Sequence, residues 1–247
     1  MISELKLNNF RCFETSTINL SPGINFFYGP NGSGKTSILE AIYMCSSGKS
    51  FKSSNIKSLI SFDQDFFSIN AYDSNKGYTL NLVKGRASPI SIKINNTKST
   101  TSALLKEFPA TAIHNNTFSF ANASPDFRRK ILDRSLFVSS PNFSETWFGF
   151  YRSLKQRNSS LKKGLIDNID VWNQKVSEEG IALDINRITF FEDSLSELNN
   201  IFNTLKPSPM VDKLNKVNIE FFSGWDKENQ LYELLTKNQK KDLFSKT

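Results

Sequence analysis

The chain has 247 residues, enough for one domain or two at roughly 100–200 residues each. Hydrophobic residues make up 38% and charged residues 22%, with 22 Phe, which argues against a disordered chain. Lys and Arg number 31 against 24 Asp and Glu, so the net charge of +7 suits an anionic partner without naming one. The start, Met1-Ile2-Ser3-Glu4, lacks the positive end and apolar core of a signal peptide. No apolar run reaches the ~18–20 residues of a membrane span. Cys12 and Cys45 have no CxxC spacing, which supports neither a disulfide framework nor a zinc site. A reducing, cytoplasmic, non-membrane setting is expected. The single histidine, His114, reads as a structural residue rather than a nucleotide contact.

Residues 2–8 alternate as a short strand and run into Asn9-Phe10-Arg11. The Pro22-Gly23 turn opens a second β-prone run holding Ile24, Phe26 and Phe27. Directly after it, Gly29-Pro30-Asn31-Gly32-Ser33-Gly34-Lys35-Thr36 fits GxxxxGK[ST] in full. A helix is expected next, with Ile38, Ala41, Ile42 and Cys45 on one face. Strand, glycine loop and helix together make a phosphate cradle. Glycines let backbone N–H groups turn toward phosphate oxygens, and the helix dipole points its positive end at the same anion. Lys35 then supplies a cation for the β- and γ-phosphates of a nucleotide, and the Thr36 hydroxyl is placed to ligate Mg²⁺.

Further along, Phe67, Ile69 and Ala71, then Tyr78, Leu80 and Leu82, then Ile90, Ile92 and Ile94 alternate as antiparallel strands over 65–98. Ser124-Pro125 is a helix start, an N-cap followed by proline. Trp147, Tyr151, Leu154, Asn158, Leu161 and Leu165 follow a helical spacing. Ile188, Phe191, Leu195, Leu198, Phe202 and Leu205 step 3, 4, 3, 4, 3, which is a heptad seam. Two such helices are expected to pack as an antiparallel hairpin ended by Lys206-Pro207-Ser208-Pro209. Val217, Ile219 and Phe221 then alternate as a strand.

Charge is uneven. Between Arg128 and Lys163 stand nine basic residues against Asp133 and Glu145, while residues 164–205 hold eight acids and two bases. The first stretch is either a DNA-phosphate surface or a solvated helix face. A Walker B carboxylate should end an apolar strand. The one candidate, Ile181-Ala182-Leu183-Asp184, falls in a helical pattern, so Asp184 reads as a helix surface residue.

Taken together these blocks resemble the RecF family of DNA replication and repair proteins, relatives of the SMC and Rad50 ATPase heads. The likeness is carried by Asn9-Phe10-Arg11, Pro22-Gly23-Ile24-Asn25, the glycine loop with Ser37, and Leu39-Glu40-Ala41-Ile42-Tyr43. It continues in Gly48-Lys49-Ser50-Phe51-Lys52-Ser53, Ser124–Asp133, Leu154-Lys155-Gln156-Arg157-Asn158 and Gly224-Trp225-Asp226-Lys227-Glu228. Two features depart from the family. Ile113-His114-Asn115-Asn116-Thr117-Phe118 stands where a Pro-Glu pair is usual, and the Walker B and signature motifs are not found, as in a C-terminally truncated member.

The resemblance implies an α/β fold. It would be a P-loop ABC-type ATPase head, a mixed sheet plus an antiparallel β-layer, with an inserted helical lobe. Residues 1–123 would be the head, 124–210 the lobe, and 211–247 the start of a return to the head. It implies that Arg11 and Gly29 to Ser37 bind ATP, and that Lys49, Lys52, Arg128, Arg129, Lys155, Arg157, Lys162 and Lys163 contact DNA. It also implies binding at gaps or single-strand/double-strand junctions, RecO and RecR partners that load recombinase, and an ATP-dependent homodimer. Such proteins serve DNA recombination and the SOS response to DNA damage. With those two motifs missing, the chain alone is expected to bind ATP weakly and to hydrolyse it very slowly or not at all. Other readings are a different P-loop enzyme, such as a small-molecule kinase, or a catalytically inactive binding module.

Overall fold

The computed structural model describes residues 1–113, 123–165, 167–205, 218–226 and 230–245. His114, Asn115 and Asn116, with Lys206–Pro209, Val217, Lys227 and Glu228, lie outside the described residues. The chain divides into two compact units, Met1–Ala123 and Ser124–Thr247. No helix among the described residues is long and apolar enough to cross a membrane.

The first unit is built on one antiparallel sheet of six strands in the order β2-β1-β3-β4-β5-β6. These are β1 (Ile2–Phe10), β2 (Phe13–Asn19), β3 (Phe66–Asp73), β4 (Tyr78–Gly85), β5 (Ser91–Ile94) and β6 (Thr97–Lys98). The alternation read from the sequence sets the register. Leu7 pairs with Ile69, Ile69 with Leu82 and Leu82 with Ile92, so one apolar row crosses four strands. That face is covered by α1 (Lys35–Ser47), through Ala41, Met44 and Cys45, and by Leu104 of α2 (Thr101–Glu107). Leu5, Leu7, Phe10, Phe67 and Ile69 are fully buried there. The other face is polar, where Asn81 donates to Asn70 at 2.6 Å and Asn8 to Ser68 at 3.1 Å.

One expected strand is not formed. Ile24–Phe27 belongs to no strand, and Ile24, Phe26 and Tyr28 are 78%, 83% and 93% exposed. A β-prone sequence becomes a strand only when a neighbouring backbone takes up its N–H and C=O groups. Among the described residues none does, so the sheet seen is the antiparallel layer alone.

The second unit is helical: α3 (Pro125–Ser139), α4 (Phe143–Lys163), α5 (Ile169–Thr204) and α6 (Leu231–Ser245). Ser124 caps α3, its hydroxyl accepting from the Phe127 N–H at 3.3 Å, with proline first in the helix. The capping Gly164 (φ +68°) ends α4, leaving Leu165 beyond the helix and 55% exposed. α4 packs along the first half of α5, where Ser153 donates to Glu179 and Arg157 to Asn173, and α6 packs on α5 and α4. The heptad positions Ile188 to Phe202 are half-buried, and Phe191 meets the Phe221 ring at 5.8 Å.

Three sequence readings need correction in this unit. Asp184 is on a helix, as expected, but buried, and accepts a hydrogen bond from the Ser223 hydroxyl at 2.8 Å. Asn218–Asp226 holds no strand, because Phe221 and Ser223 are tied to α5 rather than to a sheet edge. The helix in the stretch read as a return to the head, α6, packs within this unit.

Candidate nucleotide site

The site is set where the tip of the β1–β2 hairpin meets the start of α1. Phe10 pairs with Phe13, so Arg11 and Cys12 form a two-residue turn. Arg11 adopts φ +55°, a left-handed conformation costing a non-glycine residue roughly 1–2 kcal/mol. Its backbone is over-determined by neighbours: its N–H donates to Leu59 C=O at 2.7 Å, and its C=O accepts from the Ser61 hydroxyl at 2.8 Å.

This tip presses on the glycine loop at Gly34. Gly34 is the N-cap of α1 at φ +89°, and a Cβ there would lie 2.5 Å from the Phe13 ring and 2.9 Å from Cys12 Sγ. Conformation and contact both demand glycine. No side chain caps α1 and no acid stands in its first turn. Its first N–H groups, which have no partner within the helix, are therefore left for an anion.

A cavity of about 540 Å³ opens over this junction, lined by Asn31, Gly32, Gly34, Lys35, Thr36 and Ser37 of the loop and helix. Arg11, Cys12, Lys52, Ser58 and Ile60 complete it. Lys35 Nζ donates to the carbonyls of Gly29 at 2.9 Å and Pro30 at 2.7 Å, holding the loop's first residues against its last. Gly29, Pro30 and Ser33 thus shape the loop from outside the lining.

Three cations, Arg11, Lys35 and Lys52, face one concave surface. That arrangement favours a polyanion over a single carboxylate, because each added phosphate meets a preset positive charge. Mg²⁺ fits the same surface. The described residues hold no cluster of three or more His, Cys, Asp or Glu, so the Thr36 hydroxyl would be the protein ligand and phosphates and water the rest.

Arg11 is steered by Glu40 of α1. Arg11 Nε and Nη2 each donate to one Glu40 carboxylate oxygen at 2.9 Å. Glu40 is 1% exposed, and it also accepts from the Ser50 hydroxyl.

The sequence-derived DNA contacts divide. Lys52 lines the phosphate cavity, and Lys49 is exposed beside α1 in the same unit. Arg128, Arg129, Lys155, Lys162 and Lys163 are exposed on α3 and α4. Arg129 pairs with Asp126. Arg152, Lys155, Lys162 and Lys163 share one face of α4 at helical spacing. Arg157 is no surface contact. It is 3% exposed, donating to Asn173 Oδ1 at 2.6 Å and to Asp242 Oδ2 at 2.8 Å. Its phase on α4 aims it at α5 and α6, where a buried guanidinium needs partners.

Sequence reasoning missed Cys12, Ser58 and Ile60 in the lining. Cys12 was legible as the neighbour of Arg11 in a hairpin turn. Ser58 and Ile60 carry no motif and arrive through the 3-10 turn Ile56–Leu59.

The chain matches the AAA domain family over residues 4–246. A DNA replication and repair protein RecF from Erwinia tasmaniensis is 30% identical over 245 residues, covering 98% of this chain and 66% of that protein. One from Shewanella baltica (strain OS155 / ATCC BAA-1091) is 34% identical over 255 residues, covering 98% of this chain and 67% of the relative. The fold also matches a solved structure of the recombination mediator protein RecF with ATP, from the RecFOR pathway. There the TM-score is 0.79 at 23% identity, covering 100% of this chain and 69% of the other. The chain thus spans about two thirds of the length of the curated relatives it matches. With its glycine loop, hairpin tip and antiparallel layer in place, the chain belongs to the RecF family of DNA replication and repair proteins, within the AAA domain family.

Proposed function

We propose that this chain binds MgATP at the Lys35 site and works as the nucleotide-binding part of a DNA repair and recombination mediator. The carrying observation is the cavity over the α1 N-terminus, where Arg11, Lys35 and Lys52 converge above a glycine loop. In this reading Lys35 and the first N–H groups of α1 hold the outer phosphates. The Thr36 hydroxyl takes Mg²⁺, and Arg11 adds a charge from the opposite wall. Nucleotide promotes a homodimer, as the relationship to RecF proteins suggests. DNA at gaps or single-strand/double-strand junctions is met by the exposed cations Lys49, Arg128, Arg129, Lys155, Lys162 and Lys163. RecO- and RecR-type proteins are the partners, and recombinase loading is the outcome. The setting is the cytoplasm and the response to DNA damage.

The test is equilibrium binding of MgATP by the unaltered chain and by Lys35→Ala. The variant should lose at least about a hundredfold in affinity, since one charge-assisted contact is worth roughly 1.5–3 kcal/mol and Lys35 makes several. Equal affinity in the two proteins sinks the reading. Phosphoryl transfer from ATP to a metabolite would favour a kinase instead.

A further inference from the structure

The Leu39-Glu40-Ala41-Ile42 segment contains a residue that the phosphate loop itself does not use. Glu40 lies in the second turn of α1, 1% exposed, on the face that packs inward. A carboxylate so placed must be paired, and its pairing is specific. One oxygen accepts from Arg11 Nε and the other from Arg11 Nη2, each at 2.9 Å, a fork-to-fork contact that fixes the plane of the guanidinium. The oxygen shared with Nη2 also accepts from the Ser50 hydroxyl. Ser50 Oγ in turn accepts from the N–H of Lys52 at 2.9 Å and of Ser53 at 2.8 Å, which closes the turn carrying Lys52. Phe51 of that turn stacks edge-on against Tyr43 of α1 at 5.6 Å. Arg11 and Lys52 come from separate segments, 41 positions apart, yet both line the phosphate cavity, and both trace back to this one carboxylate.

We propose that Glu40 is a positioning residue of the nucleotide site. It holds the Arg11 guanidinium directly and the Lys52 turn through Ser50, so that two cations beyond the phosphate loop are preset over the cavity. This rests on the reading of that cavity as a nucleotide site. A guanidinium has five N–H groups, and Glu40 engages two of them. Nη1 makes only a long contact of 3.5 Å to the Ser58 carbonyl, so the outer edge of Arg11 is available to a ligand. Preset charges reward the more highly charged ligand, because ordering them is not charged against binding. Glu40 therefore sets how strongly ATP is preferred over ADP, while the loop and α1 supply affinity common to both.

The experiment measures the affinities of MgATP and MgADP for the unaltered chain, Glu40→Gln and Ser50→Ala, with thermal melting of each. In Glu40→Gln the ATP-to-ADP affinity ratio should fall about tenfold, with ADP affinity changed by less than about threefold. In Ser50→Ala the ratio should fall about threefold, since the arm to Lys52 alone is cut. A carboxylate that is merely structural would lower the melting temperature and weaken both nucleotides by the same factor, which overturns the proposal. If Glu40→Gln does not fold, Ser50→Ala decides, and an unchanged ratio there overturns it equally. An unaltered chain that binds neither nucleotide removes the nucleotide reading and the proposal together. An unaltered chain that binds ATP, with ratios unmoved in the variants, removes the proposal alone.

Discussion

In the Met1–Ala123 unit, Arg11, Lys35 and Lys52 stand around an open cavity, above an interior of Leu, Ile and Phe packed between sheet and helix. In the Ser124–Thr247 unit, arginines enter the interior. Arg157 bonds Asn173 and Asp242, and Arg187 makes two bonds, at 2.7 and 2.8 Å, to the buried Asp133, which also accepts from Trp147 Nε1. The difference follows from how each unit fixes its register. A sheet has a backbone ladder that locks strand against strand, so its side chains can be purely apolar. Packed helices have no such ladder. Leu136, Phe143 and Leu183 form a buried cluster there, and beside it a directional charge pair can select one helix alignment among several of similar area. Burial turns these arginines from binding groups into fasteners.

The largest expected effect breaks a fastener. Arg157→Ala removes a guanidinium that donates to Asn173 and Asp242 and opens space beside Asn173, whose buried Nδ2 has no partner among the described residues. It should cost about 3 kcal/mol in urea unfolding of this unit, the loss of charge-assisted hydrogen bonds made by a buried guanidinium. Lys155→Ala, two residues away but exposed, should fall within about 0.5 kcal/mol while weakening the binding of gapped DNA. Equal costs for the two would erase the contrast between buried and exposed cations on α4.

That contrast also marks how far the sequence could be read. The phosphate loop was legible because its chemistry is local, from Gly29 to Thr36 on one path into α1. The antiparallel layer was legible too, since Leu7, Ile69, Leu82 and Ile92 alternate within their own strands. What failed depended on partners distant in sequence. Ile24–Phe27 has the composition of a strand and no neighbour to pair with among the described residues. Arg157 sits in a basic run, but its direction is fixed by an asparagine 16 residues away and an aspartate 85 residues away. Counting charges along the chain cannot show which of them point inward. Glu40 belonged to a recognisable segment, and only the fold shows that it grips Arg11.

A middle-sized effect tests a buried charge in the sheet of the first unit. Asp73, 2% exposed at the end of β3, accepts from the Met1 ammonium at 2.5 Å and from the N–H groups of Asn75 and Lys76. Burial alone would raise its carboxyl, but these hydrogen bonds and the nearby ammonium outweigh it and hold the group below its ordinary value. Its contribution is therefore fully present above about pH 4, the unfolded carboxylate value, and is lost as pH falls through the lower folded value. Urea midpoints measured from pH 7 down to pH 2.5 should show about 2 kcal/mol of this unit's stability disappearing below pH 4. Asp73→Asn, which keeps an acceptor for the turn but loses the charge, should flatten that limb. An unchanged limb in Asp73→Asn would mean that the ammonium contact contributes nothing.

The smallest effect is a rate, and it sets a buried group against an exposed one within a single unit. Cys45 is fully buried under the sheet, and burial pushes its thiol up to about 12, so almost none of it is thiolate at neutral pH. Cys12 is exposed in the β1–β2 turn, lines the phosphate cavity, and lies where a Gly34 Cβ would come within 2.9 Å of its sulfur. With a chromogenic disulfide reagent the folded chain should show one fast thiol and one that reacts only after unfolding. Substituting Cys12→Ser should remove the fast one. Since Cys12 shares its cavity with Lys35 and Thr36, saturating MgATP should slow the fast reaction by about tenfold, and Lys35→Ala should abolish that protection. Unslowed modification in the presence of bound nucleotide would place the phosphates elsewhere than over the α1 N-terminus. Protection that survives Lys35→Ala would separate the Cys12 wall of the cavity from the loop. Either result would bear on the arrangement of the site without disturbing the stability of the sheet beneath it, because Cys12 belongs to the hairpin tip and not to the apolar rows that Leu7 and Ile69 begin.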